Sequence, residues 1–327
     1  MIQKIRHFIG KRYNIIRYLL NEYNFLFRTL GSCDTTKCQN KEREQLIMSA
    51  HVIEKGLSLK DVRPGFGISK ILKLLTHLDN YTNRYSDQET LAFALSVIDA
   101  YIEFHEDIGH EINAEIIQMH AKLSNKINAN VDFKHLKGGI IHLSKEEVLQ
   151  SLNGGFEAFA KSRHSLRQFT GGQIEKARIE KAFQIAETTP SACNRQPWHN
   201  FVFMDKTNIV KILEIQHGAR QFKDDVAALV IVTSTPNAFY GQEFHQHLVN
   251  GGLYAMNLLY ALHSLGLGAI PLNGGISHEQ QKQILDICNS DGNDDLIMLI
   301  AVGQMPNEFS VAKSARIQYS KYTKFDI

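Results

Sequence analysis

The chain of 327 residues is poor in several features that would assign a protein to a class at once. Its four cysteines are too few and too scattered for a disulfide framework. It contains no apolar run of about 18 residues, the length that a membrane-spanning helix needs. A net charge of +2 gives no overall electrostatic attraction for nucleic acid. We therefore predict a protein of a reducing, cytoplasmic setting that binds no nucleic acid.

Several catalytic and metal-binding motifs are also missing. There is no Gly-x-Gly-x-x-Gly after a strand, no phosphate-binding loop and no nucleophile elbow. Cys33 and Cys38 lack a second Cys or His pair at ligand spacing. His245 and His247 diverge on a helix, so they are poorly placed to bind one ion together. The sequence therefore predicts no metal site.

What is present before residues 151–155 is a mostly helical pattern. Apolar residues recur there at steps of three and four, which predicts helices over residues 41–55, 87–107 and 111–128. Ser86-Asp87-Gln88-Glu89 opens the second of these helices and offers a capping residue and early acids. Three glycines and Pro64 interrupt the pattern and predict a loop over residues 56–69.

After residue 155 the pattern alternates between helices and strands. Continuous β-branched runs are typical of strands that are buried on both faces. We predict helices over residues 176–187 and 244–265, and strands over residues 199–204, 227–233 and 296–302. Such an alternation favours a three-layer α/β or α+β core. Gly251 and Gly252 interrupt the long helix and indicate close packing, either on the sheet of the same chain or on another helix.

The first 30 residues carry six basic side chains and one acidic side chain, interleaved with apolar residues at roughly helical spacing. One interpretation is a weak contact of residues 1–30 with an anionic membrane surface. The alternative is a helix that packs on its own protein and keeps a solvated basic face, and amphipathicity by itself favours that alternative.

Three short segments are candidates for ligand binding. Arg163, Ser165 and Arg167 alternate, so an extended backbone would place two guanidiniums and a hydroxyl on one side, which suits a phosphate. A loop around Asn194 supplies amide groups that can read a heterocycle, and the tail adds Lys313 and Arg316. Judged singly, each segment is also compatible with an ordinary solvated loop.

Taken in order, these segments resemble the nitroreductase family of FMN enzymes. The resemblance rests on Ser-Arg-His-Ser-Leu-Arg-Gln-Phe at residues 162–169 and Thr-Pro-Ser-Ala-Cys-Asn-Arg-Gln-Pro-Trp at residues 189–198. It continues through Leu-Gly-Leu-Gly-Ala-Ile-Pro-Leu-Asn-Gly at residues 265–274. It covers roughly half of the chain. The His-Val-Ile-Glu-Lys-Gly-Leu-Ser stretch at residues 51–58 is similar to a longer subgroup that is associated with surface-polysaccharide genes.

The resemblance implies an α+β, nitroreductase-like three-layer fold with a central, mainly antiparallel sheet, preceded by a mostly helical region. Residues 1–150 would be a helical extension, and residues 151–327 would be the FMN-binding domain. It also implies a homodimer with two FMN sites between subunits. The cofactor-binding residues that it implies are Arg163, His164, Ser165, Arg167, Pro190, Ser191, Ala192, Asn194, Pro271, Leu272, Asn273, Gly274, Lys313 and Arg316.

The implied function is an FMN-dependent oxidoreductase that passes hydride from NADH or NADPH through the flavin to a small-molecule acceptor. That acceptor would be a nitro compound, a quinone or an intermediate of a glycan pathway. No side chain need act as an acid in this exchange, so the sequence assigns no catalytic residue. The alternative is a catalytically weak binding or scaffold protein of surface-polysaccharide biosynthesis that keeps the FMN fold.

Overall fold

A computed structural model describes residues 16, 17, 19, 20, 23, 35–127, 136–239, 243, 245–290 and 292–325. The chain divides into two compact units. One unit is built on residues 144–308, and we call it the sheet unit. The other, which we call the helical unit, is built on residues 33–143 together with residues 309–327.

The helical unit contains four helices among its described residues. They are α1 (Thr35–Leu57), α2 (Ile68–Thr82), α3 (Gln88–Asp107) and α4 (Ala114–Ser124). Strands β1 (Ile140–Ser144) and β6 (Glu308–Ala312) pair in a two-stranded sheet. Three of the helices match the helical segments predicted from periodicity, and the Asp87 side chain caps α3 by accepting a hydrogen bond from the Thr90 amide.

Helix α2 was not among the predicted elements, although its sequence shows why it forms. Ile71, Leu74, Leu75 and Leu78 are all buried and follow the three- and four-residue steps of one helix face. The preceding Gly67 adopts φ 71°, a left-handed backbone that favours glycine and lets the chain turn into the helix. The predicted loop therefore ends at Gly67, just before α2 begins.

The sheet unit alternates helices and strands, as predicted. Its elements are α5 (Lys145–Ser151), α6 (Gly155–Ser162), α7 (Lys176–Ala186), β2 (Trp198–Phe203), α8 (Lys206–Gln216), β3 (Ala228–Ser234), α9 (Gln246–Ser264), β4 (Leu267–Asn273), α10 (His278–Ile287) and β5 (Asp295–Gln304). The predicted helices and strands of this half agree with these bounds to within two residues at each end. Strand β4 had not been predicted as a strand.

The central sheet is antiparallel and has the strand order β2-β3-β5-β4. Helices α7 and α9 pack on one face, where Val230, Val232 and Ile300 meet Leu258 and other buried residues. Helices α8 and α10 pack against each other, and α8 contacts β2. The predicted α+β class, with a central antiparallel sheet and a helical N-terminal region, is confirmed.

The two glycines of α9 have different surroundings. A Cβ atom on Gly251 would lie 2.7 Å from the Ile297 side chain of β5, so this glycine lets the helix pack closely on its own sheet. A Cβ atom on Gly252 would meet nothing within 4 Å. Close packing on the same chain therefore explains Gly251 and leaves Gly252 on an open surface.

Most of residues 1–30, on which the predicted membrane-surface contact rests, lie outside the described residues. Those that are described there, among them Ile16 and Leu20, are helical and exposed. Within the described part of the chain, no helix combines the length and the apolar character needed to cross a bilayer.

Candidate functional site

The segment Arg163–Arg167 lies beside the edge strand of the sheet. Ser165 forms an isolated parallel bridge with Ala269 of β4, and the Leu166 amide donates to the Ala269 carbonyl at 3.2 Å. The extended conformation predicted for this segment is therefore present at Ser165. Arg163, His164, Ser165 and Arg167 are half-buried, whereas Leu166 is buried in the core. We call Arg163–Arg167 the cationic segment.

The residues Pro271–Gly274 lie at the end of the same strand. Pro271 occupies an edge strand, where its missing N–H removes no ladder hydrogen bond from a central strand. Leu272 is buried. The Asn273 side chain accepts from the Gly275 amide at 2.8 Å. A Cβ atom on Gly274 would lie 2.7 Å from the Ile297 carbonyl oxygen, which explains the glycine.

The loop at residues 190–197 has an unusual backbone. Cys193, Asn194 and Gln196 all have positive φ, of 52°, 53° and 45°. The Ser191 hydroxyl stabilises this conformation by accepting from the Gln196 amide at 2.9 Å. Left-handed non-glycine residues cost free energy and cluster at functional sites in proteins. The loop is thus held in one defined shape.

Two asparagines of α9 hold this loop, and the sequence analysis did not identify them. Asn250 accepts from the Ala192 amide at 3.2 Å through Oδ1, and Asn257 donates to Thr189 Oγ1 at 2.8 Å through Nδ2. They are seven residues apart, so they lie on one face of the helix. Amide side chains at that spacing in an otherwise apolar helix are the signal that could have identified them.

Buried polar atoms surround the base of the same loop. The Asn250 side chain is 1% exposed, and its Nδ2 has no hydrogen-bond partner among the described residues. His247, one helical turn earlier, donates from Nε2 to the Asp295 carboxylate at 2.7 Å, while its buried Nδ1 has no such partner. The helix that bonds to the loop through Asn250 therefore keeps two buried polar nitrogens.

Lys313 and Arg316 belong to the helical unit. The Lys313 amide donates to the Gly139 carbonyl at 2.9 Å, and an Arg316 guanidinium nitrogen donates to the Ser314 carbonyl at 2.5 Å. Within the sheet unit, the structure brings the cationic segment and Pro271–Gly274 together on β4. It attaches Pro190–Asn194 to α9.

A cavity of about 430 Å³ in the sheet unit is lined by none of these predicted residues. Its walls come from α5, from Arg178 and from the turn at Ser264–Gly266. In the described part of the chain, no group of three His, Cys, Asp or Glu side chains is arranged to hold a metal ion.

The antiparallel sheet, the long covering helix and the cationic segment together form an α+β domain. Residues 160–246 match the Nitroreductase family. Among curated proteins, one provisionally named NADH dehydrogenase/NAD(P)H nitroreductase from Methanothermobacter thermautotrophicus is 27% identical over 140 residues. That match covers 42% of this chain and 64% of the relative, so the chain spans less than two thirds of the relative's length.

A protein of the same provisional name from Archaeoglobus fulgidus is 25% identical over 147 residues, which is 45% of this chain and 83% of that protein. Among solved structures, an FMN-dependent nitroreductase from Clostridium difficile R20291 aligns with a TM-score of 0.46 and 17% identity. The alignment covers 53% of this chain and 99% of that one.

Proposed function

We propose that this protein is an FMN-dependent oxidoreductase that uses NADH or NADPH to reduce a small-molecule acceptor. The observation that carries the proposal is the cationic segment, which lies within the residues that match the Nitroreductase family and is hydrogen-bonded to β4 next to Pro271–Gly274. The same proposal divides the chain into a helical extension, residues 1–150, and an FMN-binding domain, residues 151–327.

The chemistry of the residues fits FMN. Arginine donates in a fork that matches phosphate oxygens, so Arg163 and Arg167, with His164 and Ser165, would hold the phosphate and ribitol. The backbone at Pro271, Leu272, Asn273 and Gly274 would lie along the isoalloxazine ring. Pro190, Ser191, Ala192 and Asn194 would reach the flavin of the partner subunit, and Arg316 with Lys313 would add cations at the phosphate.

FMN would supply the hydride chemistry, taking two electrons from the nicotinamide and passing them to the acceptor. The protein would bind and orient the reactants and stabilise negative charge with its cations and backbone N–H groups. We propose that the acceptor is a nitro compound, a quinone or an intermediate of a glycan pathway. The scarcity of cysteines supports a reducing, cytoplasmic setting.

The homodimer that the proposal requires is supported by the outer face of α9. Leu248, Val249, Leu253 and Met256 expose between 37% and 54% of their surface on this helix. Gly252 lies among them with open space around its Cα. A contiguous exposed apolar face marks an interaction site in a soluble protein, and a second copy of the chain would cover it.

Absorption spectroscopy of the purified protein tests the cofactor. We expect a yellow protein with flavin absorbance, and the FMN proposal fails if the colourless protein takes up no added FMN. Arg163→Ala and Arg167→Ala should each weaken FMN binding by roughly ten- to hundredfold, because charge-assisted hydrogen bonds are lost. Arg220→Ala is the matched control, since Arg220 contacts His217 in an exposed loop. Wild-type FMN affinity in both test variants would contradict the assignment of the cationic segment.

Sedimentation velocity tests the dimer. Leu253→Glu should shift the protein toward the monomer because it places a charge in the proposed apolar contact. Ile117→Glu, an equally drastic change at an exposed apolar residue of the helical unit, should leave the sedimentation coefficient unchanged. A monomeric wild-type protein would contradict a site that is shared between subunits.

The helical unit motivates a second candidate function, because it has its own apolar core and lies outside the residues matched to the family. In this candidate the protein binds FMN but serves as a scaffold of surface-polysaccharide biosynthesis with little turnover. Steady-state oxidation of NADH and NADPH with quinone and nitroaromatic acceptors separates the two. Turnover on any acceptor favours the oxidoreductase function. Tightly bound FMN that neither NADH nor NADPH reduces favours the scaffold function.

A further inference from the structure

The residue immediately before the cationic segment is tied to α9. Ser162, the last residue of α6, places its Oγ 2.8 Å from Nε2 of His263 on α9. The same hydroxyl lies 3.0 Å from the Phe159 carbonyl and donates to it. A hydroxyl has one proton, so His263 then carries its proton on Nε2 and donates to Ser162 Oγ. The end of α6 is thereby joined to a helix that packs on the sheet.

His263 is suited to this contact because it carries no charge. Its side chain is buried beside the Phe159 ring, with 5.2 Å between ring centroids. Burial, and after it the positive charges of Arg163 and His164, lowers the pKa of His263 to about 4. A neutral imidazole can lie next to the cationic segment without repelling it.

The cationic segment is consequently fixed at two points. At its start, the preceding residue Ser162 is hydrogen-bonded to His263 of α9. Near its end, the Leu166 amide is hydrogen-bonded to the Ala269 carbonyl of β4. Arg163, His164 and Ser165 lie between these points. A short segment that is held at both ends is ordered before its ligand arrives, so binding does not have to order it.

We propose that His263 is a positioning residue which, through Ser162, orders Arg163–Arg167 for binding a phosphorylated ligand. The identity of that ligand as FMN rests on the proposed function. Nothing in the sequence pattern of α9 distinguishes His263 from an ordinary residue of an apolar helix. The role follows from a contact between residues that are 101 positions apart.

The test compares substitutions that keep or remove the Nε2 donor. His263→Phe and Ser162→Ala remove the hydrogen bond, while His263→Gln keeps an amide nitrogen near the position of Nε2. We expect the dissociation constant of FMN from the full-length apoprotein, measured by quenching of flavin fluorescence, to rise about tenfold in the first two variants. It should stay within about twofold of wild type in His263→Gln. The double variant Ser162→Ala/His263→Phe should bind no more weakly than the worse single variant, because both remove the same contact.

Two controls separate positioning from general loss of stability. Ser264→Ala removes a hydroxyl that bonds only within α9, to the Ala261 carbonyl. Asp205→Ala removes the side-chain cap of α8 and lowers stability without touching the segment. Both should keep wild-type FMN affinity. If Asp205→Ala weakens FMN binding as much as His263→Phe does, the effect is one of stability and the proposal is wrong.

Hydrogen exchange provides a readout that needs no flavin. His263→Phe should accelerate exchange of the amides at residues 163–166 in the apoprotein, and His263→Gln should not. A wild-type protein that binds no FMN would overturn the proposed function, whereas the exchange result would still decide the positioning role. Unchanged exchange at these amides in His263→Phe would overturn the proposal that His263 orders the segment.

Discussion

The two units of this protein differ in where their backbone is strained. Among the described residues of the helical unit, one non-glycine residue, Ser314, has positive φ. In the described part of the sheet unit five non-glycine residues have positive φ, and the loop at residues 190–197 contains three of them. Buried nitrogens without a hydrogen-bond partner among the described residues occur in both units, at Arg43 Nε in the helical unit and at His247 Nδ1 and Asn250 Nδ2 in the sheet unit.

The comparison separates a unit with one left-handed non-glycine residue among its described residues from a unit that gathers three of them in a single loop, the loop that we propose lies at the flavin. Strain of this kind persists only where the surrounding structure holds it. In the sheet unit the holding structure is α9, which bonds to the loop through Asn250 and Asn257 and to Ser162 through His263. One helix therefore supports two of the segments that the sequence assigned to the cofactor.

The largest effect is expected at Glu54 in the helical unit. Its carboxylate is fully buried, accepts from the Gly139 amide at 2.9 Å and lies 2.9 Å from Nδ1 of His51. Glu54→Ala should lower the free energy of unfolding by about 3 kcal/mol, because it leaves buried partners unsatisfied. Denaturant unfolding followed by circular dichroism measures this. Glu106→Ala, at an exposed position of α3, is the control, and equal losses in both would show that Glu54 has no special role.

The next effect concerns pH in the sheet unit. The pKa of His263 is lowered from 6.5 to about 4, so the unfolded chain binds the proton first as pH falls. The stability associated with neutral His263 is full above pH 6.5 and is lost as pH falls toward 4, by no more than about 3 kcal/mol. Thermal unfolding measured between about pH 7 and about pH 4 gives the loss. His263→Gln should remove that part of the pH dependence, and an unchanged profile would contradict it.

A smaller effect is expected where α9 holds the strained loop. Asn257→Ala should lower stability by about 1 kcal/mol, since Thr189 and Thr188 lose their bonds to the amide. It should also weaken FMN binding, because the loop begins at the next residue. Asn208→Ala, which removes only a local contact with Asp205, should leave FMN binding unchanged. Wild-type FMN affinity in Asn257→Ala would show that the loop does not contribute to FMN binding.

The smallest effect is expected at Cys193, an exposed residue with φ 52°. Glycine adopts this backbone without steric cost but loses more entropy on folding, so Cys193→Gly should stabilise the protein by only about 0.5 kcal/mol. Differential scanning calorimetry should show a slightly higher melting temperature for Cys193→Gly than for Cys193→Ala. A melting temperature for Cys193→Gly that is lower than that of Cys193→Ala would mean that the left-handed conformation is not strained.

Periodicity predicted five of the ten α-helices in the described residues, namely α1, α3, α4, α7 and α9, and the strands β2, β3 and β5, because their apolar residues face a core at a regular spacing. It did not predict β4, whose Gly268 and Pro271 are poor strand formers in general. Gly268 is needed because a Cβ atom there would lie 2.4 Å from the Leu166 side chain, and Pro271 is tolerated because β4 is an edge strand. Both reasons come from neighbours that are distant in sequence.

The candidate site shows the same division. The cationic segment and the loop around Asn194 were recognisable from the order of local motifs. Asn250, Asn257 and His263 were not, because each acts through a hydrogen bond to a residue about 60 to 100 positions away.

The sequence by itself determined the alternation of helices and strands in the second half, the helical first half and the order of the motifs that resemble an FMN family, because periodicity and side-chain chemistry are local properties. Only the tertiary structure decided which helix supports these residues, which glycine faces the sheet and which faces open space, and which histidine is buried without charge. Those outcomes depend on burial and on contacts between distant segments, and neither exists until the chain has folded.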